Sequence, residues 1–253
     1  QLEYSGFDGA TVPICTFTLS KQHVAQFVGS YVRLSEFKGA DQQSPRTLEA
    51  IQNNDCGWFF TAKPDDFKKI PGCPFAYWIS RAAVENFASR RVHEITISDG
   101  QNKTGNNGRY VRMVWEVRFD DMGVGKKWLP YAKGGDFRRW FGNLDYVVDW
   151  SETARAFYRS DLSARIIPEY LWNRKGVSWT LLTSAGQSFR LLPENATFDM
   201  TGSSIFLKEE ENILPLIAFL NSCVAEMYMK LLNPTLALQV RDVRNLPFQK
   251  LTE

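Results

Sequence analysis

A glycine-rich polar segment followed by a strand-like one constrains this chain more than any other feature. Residues 99–109 read DGQNKTGNNGR, and the alternating run YVRMVWEV at 110–117 predicts a strand over residues 109–118. A loop held rigidly by a strand offers backbone N–H groups, amide side chains and two cations, Lys103 and Arg109, to a ligand. We call residues 99–109 the glycine-rich loop, and its chemistry suits the phosphates or base edges of a nucleic acid.

The two other interpretations of the glycine-rich loop are a nucleotide-hydrolysing loop and a plain tight turn. The loop lacks the Gly-Lys-Ser/Thr ending of a P-loop and the glycine spacing of a dinucleotide-binding turn, so nucleotide hydrolysis is not indicated. A plain tight loop between two strands stays open as an alternative, because Thr-Gly and Asn-Gly are ordinary turn-forming dipeptides.

A second basic segment supports the nucleic-acid interpretation. Lys133, Arg138 and Arg139 alternate with aromatic residues that include Phe137 and Trp140. Arginine and lysine can bind phosphates while an aromatic ring stacks on bases or wedges between them. A solvated basic surface is the alternative, and most of the aromatic residues in this region are expected in the core.

The charge distribution indicates one local binding face. Residues 101–143 contain nine Lys/Arg and four Asp/Glu, a balance of +5, whereas the whole chain carries +2. The remaining residues therefore sum to −3. Attraction driven by overall charge, to nucleic acid or to a membrane, is not supported, and any basic surface must be local.

The apolar pattern predicts an α+β fold with mixed or antiparallel β-rich sheets and a C-terminal helical segment. At 253 residues and 44% hydrophobic composition the chain can bury a sizeable core. Apolar spacing at 212–232 predicts one long amphipathic helix or two in tandem, and Asn233-Pro234 ends it. The other predicted helices are 44–54, 64–69, 81–90 and 152–160. The other predicted strands are 10–20 paired with 27–35, then 58–62, 75–80, 92–98, 127–133, 145–150, 178–182, 188–192 and 204–207.

Several classes of site are not indicated. The four cysteines are far apart and have no Cys-x-x-Cys or His-x-x-x-His partner, so we expect no metal site and interpret them as reduced core residues. No catalytic triad is proposed. The sequence shows no signal peptide and no transmembrane run, which favours a cytoplasmic protein without membrane contact. Because the chain opens at Gln1 within a strand-like passage, we expect it to be part of a longer polypeptide.

Several short segments together resemble one protein family. In order they are GWFF at 57–60, IPGCPFAYW at 70–78, KTGNN at 103–107, KWLPYAKGG at 127–135 and LLNPT at 231–235. This chain is similar, over nearly its whole length, to the C-terminal part of the PglX family, the adenine-specific DNA methyltransferases of BREX phage-defence systems. It resembles more distantly the specificity domains of Taq-type methyltransferases.

The resemblance implies that catalysis and DNA recognition are carried out by two different domains. In that family an N-terminal domain binds S-adenosylmethionine and methylates the N6 of a flipped adenine, while a C-terminal target-recognition domain reads the DNA sequence. Residues 1–35 would then be the last strands of the methyltransferase domain, and 36–253 the recognition domain. The glycine-rich cofactor motif and the Asn-Pro-Pro-Tyr motif of such enzymes are both missing from these 253 residues. The chain is therefore expected to bind no cofactor and to be inactive as an enzyme by itself.

The predicted DNA-binding residues come from the two basic segments and from a third turn at 184–190. Lys103, Lys133, Arg138 and Arg139 are assigned chiefly to phosphates, because they are cations. Amide side chains suit adenine and arginine suits guanine in the major groove. The further members of the set are Gln101, Thr104, Asn106, Asn107, Arg109, Gln187 and Arg190.

Two other functions stay open at this point. A protein-interaction module would use the 212–232 helix and the aromatic surface to dock other defence-system subunits or a DNA-mimicking inhibitor. A small-ligand site is the third possibility, but the sequence offers no convergent polar pocket for it.

Overall fold

The computed structural model describes residues 14–209 and 212–248, apart from the side chain of Ala40. The chain divides into two units, Gln1–Ala88 and Ser89–Glu253. The strand predicted at 10–20 lies partly outside the described residues. The assignment of 1–35 to a methyltransferase domain and of 36–253 to a recognition domain stays a prediction.

Unit 1 contains one antiparallel strand pair and three helices. Tyr31 of the first strand stacks on Tyr77 at 4.6 Å between ring centroids and meets the edge of Phe67 at 6.0 Å. These ring contacts hold the pair against the segments that follow it. The elements of unit 1 are β1 (Gly29–Val32), α1 (Ala40–Gln52), β2 (Phe59–Ala62), α2 (Pro64–Phe67) and α3 (Arg81–Glu85).

Two strand predictions in unit 1 are wrong. β1 pairs with β2, and residues 14–20, the described part of the predicted partner, form no strand. The predicted strand 75–80 is a turn-rich segment, because Pro74 has no N–H to donate and the N–H of Ile79 bonds to the carbonyl of Ala76. Tyr77 of this segment instead packs its ring on Tyr31 and Phe60 of the strand pair.

Unit 2 is built on two four-stranded sheets. The first has the order β3-β10-β7-β8 and its described pairs are antiparallel. The second has the order β4-β6-β5-β9, with β5 and β9 parallel. The strands are β3 (Thr96–Ile97), β4 (Val111–Met113), β5 (Trp128–Ala132), β6 (Tyr146–Asp149), β7 (Gly176–Trp179), β8 (Phe189–Leu192), β9 (Thr197–Phe198) and β10 (Ser204–Leu207).

The core of unit 2 connects the two sheets. One apolar cluster combines Ala132 and Phe198 from the second sheet with Leu192 and Phe206 from the first. A second cluster lies under α6 and contains Leu129, Tyr131, Val148, Ala154 and Tyr158. Burial of these side chains is the main stabilising contribution and fixes the ends of the strands that carry the loops described below.

The predicted helical segments 152–160 and 212–232 of unit 2 are helical in the structure. Ser151 caps α6, since its Oγ accepts from the N–H of Ala154 at 3.3 Å. The predicted 212–232 segment forms two helices in tandem, with Pro215 in the first turn of the first and Ser222 capping the second. The helices are α4 (Val92–Ile95), α5 (Asn107–Tyr110), α6 (Glu152–Ser160), α7 (Leu214–Leu220), α8 (Cys223–Leu232) and α9 (Val240–Arg244).

No single helix among the described residues is long and apolar enough to cross a membrane. α7 and α8 meet the length and composition test only as a pair, and that pair is bent by 64°.

The α+β fold class and the C-terminal helical segment are confirmed, but in unit 2 the strand predictions 92–98 and 109–118 are wrong in extent, and the placement of the cysteines in the core is also wrong. Residues 92–98 form α4 before the two-residue β3. The 109–118 strand is reduced to β4, because Asn106 caps α5 before it and Glu116 closes a 3₁₀ turn after it through the N–H of Met113. The cysteines are not core residues: Cys15, Cys73 and Cys223 are exposed and Cys56 is half-buried.

Candidate nucleic-acid interface

The glycine-rich loop is anchored in the core at its beginning. Asn102 is only 4% exposed. Its amide donates to Thr197 Oγ1 at 2.7 Å and to the carbonyl of Phe198 at 2.9 Å, and its Oδ1 accepts from the N–H of Ile167 at 2.9 Å. Thr104 is also buried and donates to Asn107 Oδ1 at 2.6 Å. Thr104 therefore shapes the loop and presents no hydroxyl to a ligand.

Beyond that anchor the loop exposes four of the predicted residues. Lys103, Asn106, Asn107 and Arg109 are all exposed. Asn106 uses its Oδ1 to accept from the N–H of Arg109 at 3.0 Å, and Asn107 uses its Oδ1 for Thr104. The guanidinium of Arg109 lies 5.0 Å from the ring centroid of Tyr110. Of the exposed groups in this loop, the two cations Lys103 and Arg109 are thus the least engaged in internal hydrogen bonds.

Lys133 belongs to a polar network around Asp199. Lys133 Nζ lies 3.1 Å from Asp199 Oδ2, which also accepts from the hydroxyl of Tyr131 at 2.9 Å. Thr201 donates to Asp199 Oδ1 from its N–H and its hydroxyl. The side chain of Lys133 is only 18% exposed, so its ammonium group is paired with Asp199 and largely shielded from a ligand. Gln101 is half-buried and reaches Ser203 Oγ at 3.4 Å.

The pKa of Asp199 reflects this network. Burial of the carboxyl group would raise its pKa, but the hydrogen bonds from Thr201 and the charge of Lys133 outweigh burial, and the pKa is lowered. Asp199 is therefore ionised at neutral pH, and its carboxylate ties the end of β5 to the 199–201 turn.

The second basic segment forms a loop at 136–142 that projects cations and rings. Arg138 and Arg139 are exposed, as are Phe137 at 44% and Trp140 at 57%. The loop is tied to β8 by its backbone: the N–H of Trp140 donates to the carbonyl of Phe189 at 3.1 Å. We call residues 136–142 the arginine loop.

The structure brings the arginine loop and the predicted 184–190 turn together. The N–H of Arg138 donates to Ser188 Oγ at 3.3 Å, and the guanidinium of Arg190 reaches the carbonyl of Arg138 at 3.4 Å. The proximity of these two sequence-distant segments follows from the backbone bridge between Trp140 and Arg190, which the sequence does not show.

Arg190 and Gln187 do not face a ligand as predicted. Arg190 is 2% exposed and bonds to Ser188 and Thr180, so its guanidinium supports the arginine loop from beneath. Burial, and then the nearby charge of Arg138, lower the pKa of Arg190 to about 10, which still leaves it charged at neutral pH. Gln187 is half-buried, and its Oε1 is buried without a hydrogen-bond partner.

The predicted residues do not converge on one point. Arg109 precedes β4, whose Val111 pairs with Val148, and Val148 pairs with Leu129 near the start of β5. Lys133 and the arginine loop follow the other end of β5. Arg109 and the arginine loop therefore leave opposite ends of the same sheet, whereas Lys103 follows Asn102, which bridges to Asp199 near the end of β5 that carries Lys133. The arginine loop presents two exposed cations beside exposed rings.

Sequence reasoning missed three exposed aromatic residues. Phe141 is 59% exposed beside Trp140, and its position next to the predicted cluster was a usable signal. Trp115 at 71% and Phe119 at 85% lie on 3₁₀ turns between β4 and β5. The alternating pattern had assigned Trp115 to a strand over 109–118, and Phe119 follows that predicted strand directly, so no sequence signal indicated their exposure.

Comparison with known proteins gives two similar relatives, and no family model matches the chain. The adenine-specific methyltransferase PglX of Lacticaseibacillus casei (strain Zhang) is 32% identical over 259 residues, covering 96% of this chain and 22% of that protein. The adenine-specific methyltransferase BrxX of Escherichia coli O9:H4 (strain HS) is 28% identical over 253 residues, covering 98% of this chain and 20% of that protein.

The chain spans about a fifth of the length of these curated relatives. The more distant similarity to Taq-type specificity domains stays a prediction. The resemblance to PglX is confirmed, because nearly the whole chain is homologous to one segment of the adenine-specific methyltransferases PglX and BrxX.

Proposed function

We propose that this chain binds duplex DNA and recognises its sequence, as the specificity part of an adenine-N6 DNA methyltransferase in a BREX-type phage-defence system. The observation that carries the proposal is the arginine loop, in which Arg138, Arg139 and Trp140 are exposed on a backbone that β8 holds in place. Phosphate contacts position a protein on the duplex, and adjacent base contacts specify the sequence.

Electrostatics support an anionic ligand at the arginine loop. Within residues 14–209 and 212–248, neither Arg138 nor Arg139 forms an ion pair with a carboxylate. The buried cation of Arg190 lies beneath them and its pKa is lowered partly by Arg138. A phosphate above these side chains would offset the repulsion between them.

The relatives support the choice of DNA as the anion. Both are adenine-specific methyltransferases, and an enzyme that acts on a base within a duplex has to extrude that base, at a cost of a few kcal/mol. A part that grips the duplex around the target supplies contacts that offset this cost. In this proposal the methyltransferase part, which binds S-adenosylmethionine, is the partner of the present chain, and other BREX subunits are further partners.

A protein-interaction module is the second candidate. It is favoured by apolar side chains that remain exposed on the tandem helices, where Leu214 is 60%, Val224 49% and Met227 43% exposed. Docking through such a face depends on apolar burial, so its affinity should change little with salt.

The test is fluorescence-anisotropy binding of the chain to random-sequence duplex DNA over a salt series. We expect the logarithm of the affinity to fall linearly with the logarithm of the salt concentration, with a slope of several units, because bound phosphates release counterions. Absent binding, or binding that does not respond to salt, would contradict the proposal and favour the interaction module.

A double variant locates the binding surface. Arg138→Gln with Arg139→Gln should weaken binding by about 1–3 kcal/mol and reduce the salt slope by roughly 1–2 units. The matched control is Lys175→Gln with Lys230→Gln. It removes the same charge from exposed positions of unit 2, and Lys175 lies at the opposite end of β7 from the residues that contact the arginine loop. An equal loss in both variants would mean that only net charge matters.

A further inference from the structure

Trp140 combines a strained backbone with an exposed ring. Its φ is 77°, in the left-handed region that glycine favours and that bulky side chains rarely adopt. Its indole is nevertheless 57% exposed, so packing of the ring in the core does not account for the conformation. A residue kept in such a backbone state with its side chain in solvent points to a use for that side chain.

Two backbone hydrogen bonds to β8 hold Trp140 in this strained conformation. The N–H of Trp140 donates to the carbonyl of Phe189 at 3.1 Å, and its own carbonyl accepts from the N–H of Leu191 at 2.8 Å. Between those two residues lies Arg190, whose buried guanidinium reaches the carbonyl of Arg138 two residues before Trp140. The backbone of Trp140 is therefore fixed before any ligand arrives.

The surroundings of the indole match a nucleic acid better than a protein groove. Arg138 and Arg139 precede it and are exposed, and Phe137 and Phe141 flank the group at 44% and 59% exposure. The guanidinium of Arg139 lies 5.2 Å from the ring centroid of Phe137. Rings supply surfaces on which bases stack, and cations beside them bind the flanking phosphates.

We propose that Trp140 is a wedge that inserts at a base step of the bound duplex and partly unstacks it. This inference rests on the proposed function, since it takes duplex DNA as the ligand. Side chains that enter a base step in this way kink the duplex and widen the surface it shares with the protein. A rigid backbone suits the task, because a wedge that yields on contact cannot unstack bases.

The test uses the full chain and duplexes carrying 2-aminopurine at successive positions, since the fluorescence of this base rises when it loses its stacking partners. We expect the unmodified chain to raise the fluorescence on binding at one or a few positions. Trp140→Gly should reduce the increase at least twofold, and Trp140→Phe should retain most of it. Trp115→Ala is the matched control, because it removes another exposed indole of unit 2 and should leave the increase unchanged.

A stability measurement keeps the result interpretable. Glycine adopts positive φ without strain, so Trp140→Gly should have a melting temperature equal to or above that of the unmodified chain. A lost fluorescence signal in this variant then cannot be attributed to unfolding.

Two outcomes would overturn the wedge, and they differ in what they say about DNA binding. Salt-dependent anisotropy binding without any 2-aminopurine increase, or with an increase that Trp140→Gly leaves intact, rejects the wedge alone. Absence of DNA binding by the unmodified chain rejects both the wedge and the proposed function. Binding of a protein partner to the same surface in place of DNA would also reject both.

Discussion

The glycine-rich loop and the arginine loop each carry two cations but differ in how they fold. The first is built from glycine and amide residues, and the second from aromatic residues and arginine. In the glycine-rich loop the polar side chains turn inward, since Asn102 and Thr104 are buried and Asn106 caps α5. In the arginine loop the backbone makes the internal bonds, to β8 and Ser188, and the side chains of Arg138, Arg139 and Trp140 remain in solvent.

This difference shows that a loop can bind a ligand only with the groups that it does not use for its own internal hydrogen bonds. A loop that folds through its side chains becomes rigid but offers few polar groups to a partner. A loop that folds through its backbone becomes equally rigid and keeps its side chains free. The comparison predicts that changes in the glycine-rich loop act mainly on stability, and changes in the arginine loop mainly on binding.

The largest expected effect is on stability, at Asn102. Asn102→Ala should lower the free energy of unfolding by roughly 2–4 kcal/mol, because it leaves the N–H of Ile167 and the carbonyl of Phe198 buried without their partner. Urea denaturation measures this value. Asn195→Ala, at an exposed position of the same unit, is the control and should change it by less than about 0.5 kcal/mol. An equal loss of unfolding free energy in the two variants would contradict the expectation that changes in the glycine-rich loop act mainly on stability.

The second effect is on the pH dependence of stability. The pKa of Asp199 in the folded chain is lowered from its ordinary value of 3.8, mainly because the bonds from Thr201 and the charge of Lys133 outweigh burial. A lowered pKa in the folded state contributes stability that is fully present above pH 3.8 and is lost as the pH falls through the folded pKa. Asp199→Asn should remove that part of the acid dependence.

Thermal unfolding between pH 3 and pH 7 compares the two proteins. The melting temperature of the unmodified chain should fall more steeply at the acid end than that of Asp199→Asn, while at pH 7 the variant should be the less stable. Parallel curves would mean that other carboxylates cause the acid dependence.

The smallest expected effect is on DNA affinity, at the exposed cations of the glycine-rich loop. Lys103→Gln with Arg109→Gln should weaken binding by less than about 1 kcal/mol, because Arg109 leaves the opposite end of β5 from the arginine loop and isolated solvent-exposed cations contribute little. Anisotropy under the conditions used for Arg138→Gln with Arg139→Gln provides the comparison. A larger loss from the first pair than from the second would reverse the roles assigned to the two loops.

Much of the fold of unit 2 could be predicted from the sequence. β5, β6, β8 and β10 lie within a residue or two of their predicted limits, because each is a short apolar run bounded by turn-forming residues. α6 matches the helix predicted at 152–160. The break within 212–232 was left open between one helix and two, and Ser222 decides it by capping α8.

Other parts could not be predicted, because tertiary contacts determine them. Side-chain caps at Asn106 and Glu116 override the alternation that predicted a strand over 109–118. Arg190 was predicted on the surface by its charge, but the pairing of β8 places it in the interior. The positive φ of Trp140 follows from bonds to β8 and has no local sequence signal, since Trp is among the residues least expected there.

The most direct test of the central claim is a hydrogen-exchange footprint of the chain with and without duplex DNA, read by mass spectrometry. The claim is that DNA lies on the arginine loop. We expect slower exchange in peptides covering 136–142 and 184–188 when DNA is bound, and little change in α7 and α8. Protection confined to the tandem helices, or no protection in the arginine loop at saturating DNA, would contradict it.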